Sequence, residues 1–263
     1  MGGKKVKKIC IFNQKGGVGK TTTVVNTASA LGKSGRKVLI IDVDPQGNST
    51  SGLGIEKRNL KNSIYEMLLG LADFNEVVRE TTSKNVYIIP SGIRLTGFEI
   101  EIQDFEDKEN ILKNRMVNKD LDYDYILIDC PPSLGYLSLN ALCYADSILI
   151  PIQCEYYALE GVGQLMETYN LVRKSINKDL KIEGIVLTMY DMRNNLSLSV
   201  AEEAAKYFKD KVLKTKIPRN IRLAEAPSYG QSIFDYDSKS KGALCYEELA
   251  REIDNNNRRG GNE

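Results

Sequence analysis

The sequence predicts an α/β protein: a doubly wound, mainly parallel sheet flanked by helices. Three observations predict it. Short runs rich in Ile, Leu and Val alternate along the chain with amphipathic segments of helix length. The runs are flat in polarity rather than alternating, which is what strands covered on both faces require. The first run, closing with Ile9-Cys10-Ile11-Phe12, opens into a glycine-rich turn and then a helix-compatible segment, so a strand, a loop and a helix follow one another directly.

Taken in order, strands are expected over residues 8–12, 38–43, 86–89, 125–128, 148–152 and 185–189, with a weaker one over 212–217. Helices are expected over 20–33, 63–69, 108–118, 134–144, 158–175, 197–209 and 242–253. Two segments break the rhythm. Residues 99–110 hold six acids against one lysine, a pattern of a solvated face or loop, or alternatively of a partner surface. Residues 255–263, rich in Asn, Gly and Arg, are expected to fray. No internal repeat is present.

At 263 residues, 42% hydrophobic and 27% charged, the chain can bury one full α/β core, and a single domain over 1–263 is expected. The formal charge of +1 gives no global field toward nucleic acid or membrane, so any such surface is local or built by assembly. Cys10, Cys130, Cys143, Cys154 and Cys245 show no CxxC spacing and read as reduced thiols, most of them in the core, of a cytoplasmic protein. No run of eighteen apolar residues exists, the lysine-rich start lacks the apolar centre of a signal peptide, and Val6 breaks a myristoylation pattern. With no histidine in the chain, carboxylates, lysines and backbone amides are left to do any chemistry.

The chemistry-bearing stretch is Lys15-Gly16-Gly17-Val18-Gly19-Lys20-Thr21-Thr22. A glycine-rich turn entering a helix aims successive backbone N–H groups at one spot, where the helix N-terminus also favours negative charge. A nucleoside triphosphate fits such a cradle, with Lys20 on the outer phosphates and the Thr21 hydroxyl on Mg²⁺. The stretch departs from the usual loop, because Gln14 stands where glycine is expected and Lys15 follows it. Acids are expected where neighbouring strands end, the edge at which open parallel sheets bind ligands. Asp42 and Asp44 end one run and share a side of an extended chain; Asp129 ends another, before Pro131-Pro132. Thr21, Asp42 and Asp129 are the candidate Mg²⁺ residues. Asp44 is the candidate to orient or deprotonate an attacking water, the alternative being a loop aspartate that caps the following turn.

These motifs carry a resemblance. The loop is similar to the deviant Walker A loop of the ParA, MinD and nitrogenase-iron-protein class of ATPases. Residues 42–50 (DVDPQGNST), 129–135 (DCPPSLG), 189–199, 217–233 (IPRNIRLAEAPSYGQSI) and 236–243 narrow it to the small chromosomal ParA/Soj partition proteins. The resemblance covers almost the whole chain. It implies that Lys15 crosses a dimer interface to the partner's nucleotide, and that Asp129 is the Walker B acid. It further implies that Ser133 and Gly135 lie in a switch II loop and that Pro218, Arg219 and Asn220 line the adenine. Arg193 and Arg222 would bind double-stranded DNA without sequence preference. Residues 206–222, with seven cations and one acid, suit phosphate contacts of that kind, although a solvated helix end reads similarly, and Arg222 has a rival role as an ion pair with Glu225. The family further implies an ATP-bound homodimer on the nucleoid and a ParB-type partner that stimulates hydrolysis, for which residues 99–110 are a candidate docking surface.

Three rivals share the fold. A MinD-like membrane-associated positioning ATPase needs a C-terminal amphipathic helix, and the tail from Ile253 offers too little apolar surface. An electron-transfer ATPase needs loop cysteines for a shared cluster, and only Cys130 is near a suitable turn. A ligase or small-molecule kinase would use Asp44 on substrate, and no further polar motif argues for one. With twelve residues before Asn13, operator-specific repression by this chain alone is not expected, and residues 4–8 (KKVKK) read as a solvated end or as added DNA affinity.

Overall fold

Neighbouring residues of a strand face opposite sides of a sheet, and the first strand spends both sides on core. In β1 (Lys7–Ile11), Ile9 and Ile11 join one apolar cluster with Val24, Ala28 and Leu31. Cys10, with Phe12 just beyond the strand, joins another with Ile128 and Leu142. The computed structural model, which describes residues 6–117, 119, 121–155 and 160–259, extends this plan through β2 (Val38–Asp42), β3 (Arg79–Glu80), β4 (Val86–Ile89), β5 (Tyr125–Asp129), β6 (Ser147–Gln153), β7 (Lys181–Tyr190) and β8 (Val212–Pro218). The order is β3-β4-β2-β5-β1-β6-β7-β8. All pairs are parallel except β3 with β4. The doubly wound sheet expected from the sequence is therefore the observed one.

Helices cover both faces. They are α1 (Lys20–Lys33), α2 (Asn48–Gly52), α3 (Ile64–Leu69), α4 (Phe74–Val77), α5 (Phe98–Glu101), α6 (Ile111–Met116), α7 (Tyr136–Tyr144), α8 (Glu160–Ser175), α9 (Asn195–Phe208), α10 (Ile221–Glu225), α11 (Ile233–Asp237) and α12 (Lys241–Arg259). The start of α3 is set by a capping box, in which Ser63 N–H donates to Glu66 Oε2 at 2.8 Å and Tyr65 N–H to Ser63 Oγ at 3.3 Å. On the face of Ile9, α1 and α12 pack together, joined by the hydroxyls of Thr23 and Tyr246 at 3.2 Å. Glu252 of α12 closes the edge of β8, accepting from Lys214 N–H at 2.8 Å and Thr215 N–H at 3.0 Å. That removes free strand donors from the edge.

Several expectations are corrected. The residues expected to fray continue α12 to Arg259: Arg258 pairs with Asp254 at 2.8 Å, and Asn257 Nδ2 donates to Glu183 Oε1 at 2.8 Å. Lateral contacts hold a segment whose composition alone reads as disordered. The expected helix over 108–118 opens as a tighter 3₁₀ turn, Lys108–Asn110, before α6. β7 starts earlier than expected because Lys181 and Ile182 pair with Ser147 and Ile148 of β6. The elements missed altogether, β3, α2, α4, α5, α10 and α11, are too short to carry a period. The acidic residues 99–110 hold α5 and the 3₁₀ turn, anchored by fully buried Phe98 and Ile102. Expectations that fall on Lys4, Lys5, Asn118, Ala158, Leu159 and residues 260–263 lie outside the described residues.

Candidate functional site

The glycine loop joins β1 to α1 at the C-terminal edge of the sheet, between the ends of β5 and β6. Gly17 and Gly19 have φ of 76° and 90°, left-handed values that a side chain disfavours. A Cβ on Gly16 or Gly17 would meet nothing within 4 Å, so the cradle is open on that side. Two anchors fix it from below. Asn13 Nδ2 donates to the Pro151 carbonyl at 2.8 Å while its Oδ1 accepts from Lys15 N–H at 2.9 Å. Thr188, at the end of β7, donates its hydroxyl to the Val18 carbonyl at 2.8 Å.

Lys20 is buried and curls over the loop, its Nζ donating to the Lys15 carbonyl at 3.0 Å. Burial pulls its pKa down, partly offset by Asp129, Cys130 and Asp44. Lys15 leaves the cradle and forms an ion pair with Glu155 just after β6. Thr21 and Thr22 begin α1.

Two acids occupy equivalent places, since Asp42 and Asp129 are register partners of β2 and β5. Their carboxylates are differently engaged. Asp42 accepts from Thr50 N–H at 2.9 Å and Thr50 Oγ1 at 2.7 Å on Oδ2, and from Asp44 N–H at 3.2 Å on Oδ1. Asp129 accepts from Ser49 Oγ at 2.6 Å on Oδ2, whereas its buried Oδ1 accepts no hydrogen bond of ordinary geometry. Burial raises both pKa values, that of Asp129 to about 6; the Ser49 and Thr21 hydroxyls oppose the shift at Asp129. Oxygen donors only, one hydroxyl beside one open carboxylate oxygen, fit a hard cation such as Mg²⁺. Asp42 is largely committed to its own loop, which leaves Thr21 and Asp129 as the better placed pair.

β2 ends at Asp42, so Asp44 lies beyond the extended chain. Its side chain caps the turn as the alternative reading had it, accepting from Gln46 N–H at 2.9 Å. It is nevertheless close enough to raise the proton affinity of Lys20 and of Asp129. Ser91 buttresses the loop, donating its hydroxyl to the Asp44 carbonyl at 2.7 Å and its N–H to Thr50 Oγ1 at 2.8 Å. Across a groove of about 390 Å³ from Pro45 stand Ser133, Leu134 and Gly135. There Glu99 accepts from Tyr136 N–H at 2.9 Å at the start of α7.

The remaining candidates lie on the β7–β8 side. Pro218 ends β8, Asn220 caps α10 by accepting from Arg222 N–H at 2.9 Å, and Arg219 Nη2 lies 3.9 Å from Met189 Sδ. Arg193 is exposed and bidentate on Asp191, at 3.1 and 2.9 Å, which holds that carboxyl down at about 2. Arg222 forms the rival ion pair, 2.9 Å from Glu225, with Asp237 at 3.6 Å. Sequence reasoning missed Asn13, Ser49, Thr50, Ser91 and Thr188. Ser49 and Thr50 stood inside a quoted motif; the others act from separate loops and strand ends, with no local signal.

A parallel sheet whose first strand feeds a glycine cradle with a buried lysine, beside acids ending the adjacent strands, defines a P-loop nucleotide-binding protein of the deviant type. Comparison with known proteins narrows the class. A family model described as an AAA domain matches residues 6–182. The sporulation initiation inhibitor protein Soj of Bacillus subtilis is 53% identical over 94% of this chain and 98% of its own. The chromosome partitioning protein ParA of Myxococcus xanthus is 50% identical over 93% and 87%. Among solved structures, cobyrinic acid a,c-diamide synthase from Mycobacterium smegmatis, with a bound ATP analogue and magnesium, superposes with a TM-score of 0.84 at 38% identity over 94% and 93%. The chain belongs to the Soj/ParA family of chromosome-partitioning ATPases.

Proposed function

We propose that this chain hydrolyses ATP with Mg²⁺, dimerises in the ATP state, binds double-stranded DNA without sequence preference, and segregates DNA with a ParB-type partner that stimulates its weak turnover. The observation that carries the nucleotide part is the preformed cradle, with Lys20 buried against the loop and one orphaned oxygen on Asp129. Residues 16–22 would bind the phosphates through backbone N–H groups, with Lys20 and, from the partner subunit, Lys15 neutralising charge on the β- and γ-phosphates. Thr21 and Asp129 would hold Mg²⁺, which supplies neutralisation of the phosphate oxygens. Asp44 orients the attacking water and takes its proton; Pro218, Arg219 and Asn220 line the base.

The DNA part is supported by relatives named for chromosome partitioning and by the local charge. Of the cations in residues 206–222, Lys206, Lys209, Lys211, Lys214, Arg219 and Arg222 are exposed. The ion pairs of Arg193 and Arg222 lie at the surface, where such pairs contribute little, so exchanging them for DNA phosphates costs little. One subunit offers a short strip; a two-fold dimer doubles it. No observation favours the membrane reading: α12 buries Ala243, Tyr246, Leu249 and Ile253 in the cluster shared with α1, and no described helix is long and apolar enough to cross a membrane.

The test is binding to a long duplex of arbitrary sequence without nucleotide, with ADP and with ATP, at two salt concentrations, for the wild type and Arg222→Ala. The expected result is salt-sensitive binding with ATP alone that Arg222→Ala loses. Binding independent of nucleotide, or none at all, would remove the DNA-switch reading.

A further inference from the structure

We propose that Ser49 is a positioning residue for Asp129: its hydroxyl closes Oδ2 and so presents Oδ1 to the divalent cation, tying the Asp44 loop to that cation. The inference rests on the nucleotide reading above. Ser49 and Thr50 are consecutive, fully buried residues of α2. Each hydroxyl reaches a different carboxylate of the register pair, Ser49 to Asp129 at 2.6 Å and Thr50 to Asp42 at 2.7 Å. The two acids are thereby sorted. Asp42 also receives two backbone N–H groups and is closed at both oxygens, while Asp129 is closed at one and open at the other.

A buried carboxylate oxygen without a donor is rare in a folded chain unless a water, an ion or a ligand completes it. The final torsion of an aspartate is broad and roughly two-fold, so nothing intrinsic to Asp129 decides which oxygen faces the loop. The short hydrogen bond from Ser49 fixes Oδ2, and the Thr21 hydroxyl lies beside the same carboxylate. Because Ser49 lies five residues after Asp44, on the loop that Ser91 braces at the Asp44 carbonyl, movement of that loop would disturb the carboxylate, and cation binding would in turn hold the loop. Partners of this outer kind orient metal-holding groups, and losing one typically weakens metal affinity about 10- to 100-fold.

The experiment titrates Mg²⁺ into protein saturated with a fluorescent, non-hydrolysable ATP analogue, for the wild type, Ser49→Ala and Ser49→Cys, with analogue affinity measured separately in EDTA and Tm recorded for each. Cysteine fills the serine site with a somewhat larger sulfur but is a weak donor. Both variants are expected to bind the analogue normally in EDTA and to need about tenfold more Mg²⁺. Unchanged Mg²⁺ dependence in Ser49→Ala overturns the assignment. So does a Ser49→Cys protein that matches the wild type while Ser49→Ala fails, since packing alone would then explain the loss. Weakened binding in EDTA would show a collapsed loop instead of a misaimed carboxylate. A wild type that binds no analogue with or without Mg²⁺ would sink the nucleotide reading itself, and this inference with it.

Discussion

Asp129 is a carboxylate held where its charge is expensive. Burial is the largest influence on it and lifts its pKa to about 6, against the Ser49 and Thr21 hydroxyls and Lys20 that favour the anion. In the unfolded chain an aspartate titrates near 3.9, so folding takes up a proton between those values. The stability this group contributes is complete below about pH 4 and is lost as pH rises through about 6. In protein free of nucleotide and Mg²⁺, Asp129→Asn should therefore raise Tm more at about pH 7.5 than at about pH 5; an equal gain at both would mean that Asp129 titrates ordinarily. Asp44 is a different case. Asp44→Ala should still bind ATP and accumulate as a dimer, with kcat lower by about 10²-fold or more. Normal single-turnover kinetics in that variant would take the attacking water away from Asp44.

At the scale of elements, the end of α1 is pressed against the entry to β4, the strand three places from β1 in the sheet. A Cβ built on Gly32 falls 2.2 Å from the Lys84 carbonyl oxygen and 2.9 Å from Val86 Cγ2. Alanine is the better helix former by about 1 kcal/mol, yet a backbone carbonyl cannot swing aside as a side chain can. Gly32→Ala should lower unfolding stability by about 1–3 kcal/mol in urea titration, and a stabilised variant would show that the β4 entry gives way easily. The same contact explains what sequence could say here. Residues 20–33 read as a helix from their own pattern, whereas the need for glycine at its end comes from Lys84, fifty-two residues away.

For the whole molecule, the question is what Lys15 does when a second copy is present. In the single chain it is paired with Glu155, both side chains half-buried, a contact that a nucleotide phosphate would have to replace. If Lys15 reaches the partner's nucleotide, sedimentation should show an ATP-dependent dimer for the wild type and a monomer for Lys15→Gln at equal ATP occupancy. A dimer in both would reassign Lys15 to its own subunit. Charge belongs to this scale too: a chain of net +1 has no global field toward DNA, and under the DNA reading proposed above residues 206–222, with an excess of +6, would gain reach when two copies align.

Sequence by itself determined the sheet-and-helix alternation, the cradle of residues 15–22 and the acids at strand ends, because each is written in contiguous residues: flat apolar runs, glycines at fixed spacing, an acid directly after a strand. Asp42, Asp44 and Asp129 could be named from that pattern but not told apart. Tertiary structure decided that Asp42 is closed and Asp129 open: Thr50 turns back on Asp42 of its own loop, whereas the Ser49 hydroxyl must be delivered to a different strand. It decided also that Asn255, Asn256 and Asn257 belong to α12, and that short elements such as β3 and α11 exist. Ile233 N–H of α11 finds Asn26 Oδ1 of α1 at 2.8 Å across 207 residues. Such pairings follow from the free energy of a closed core, which satisfies buried polar groups wherever the chain brings them together, and no local pattern records the partner.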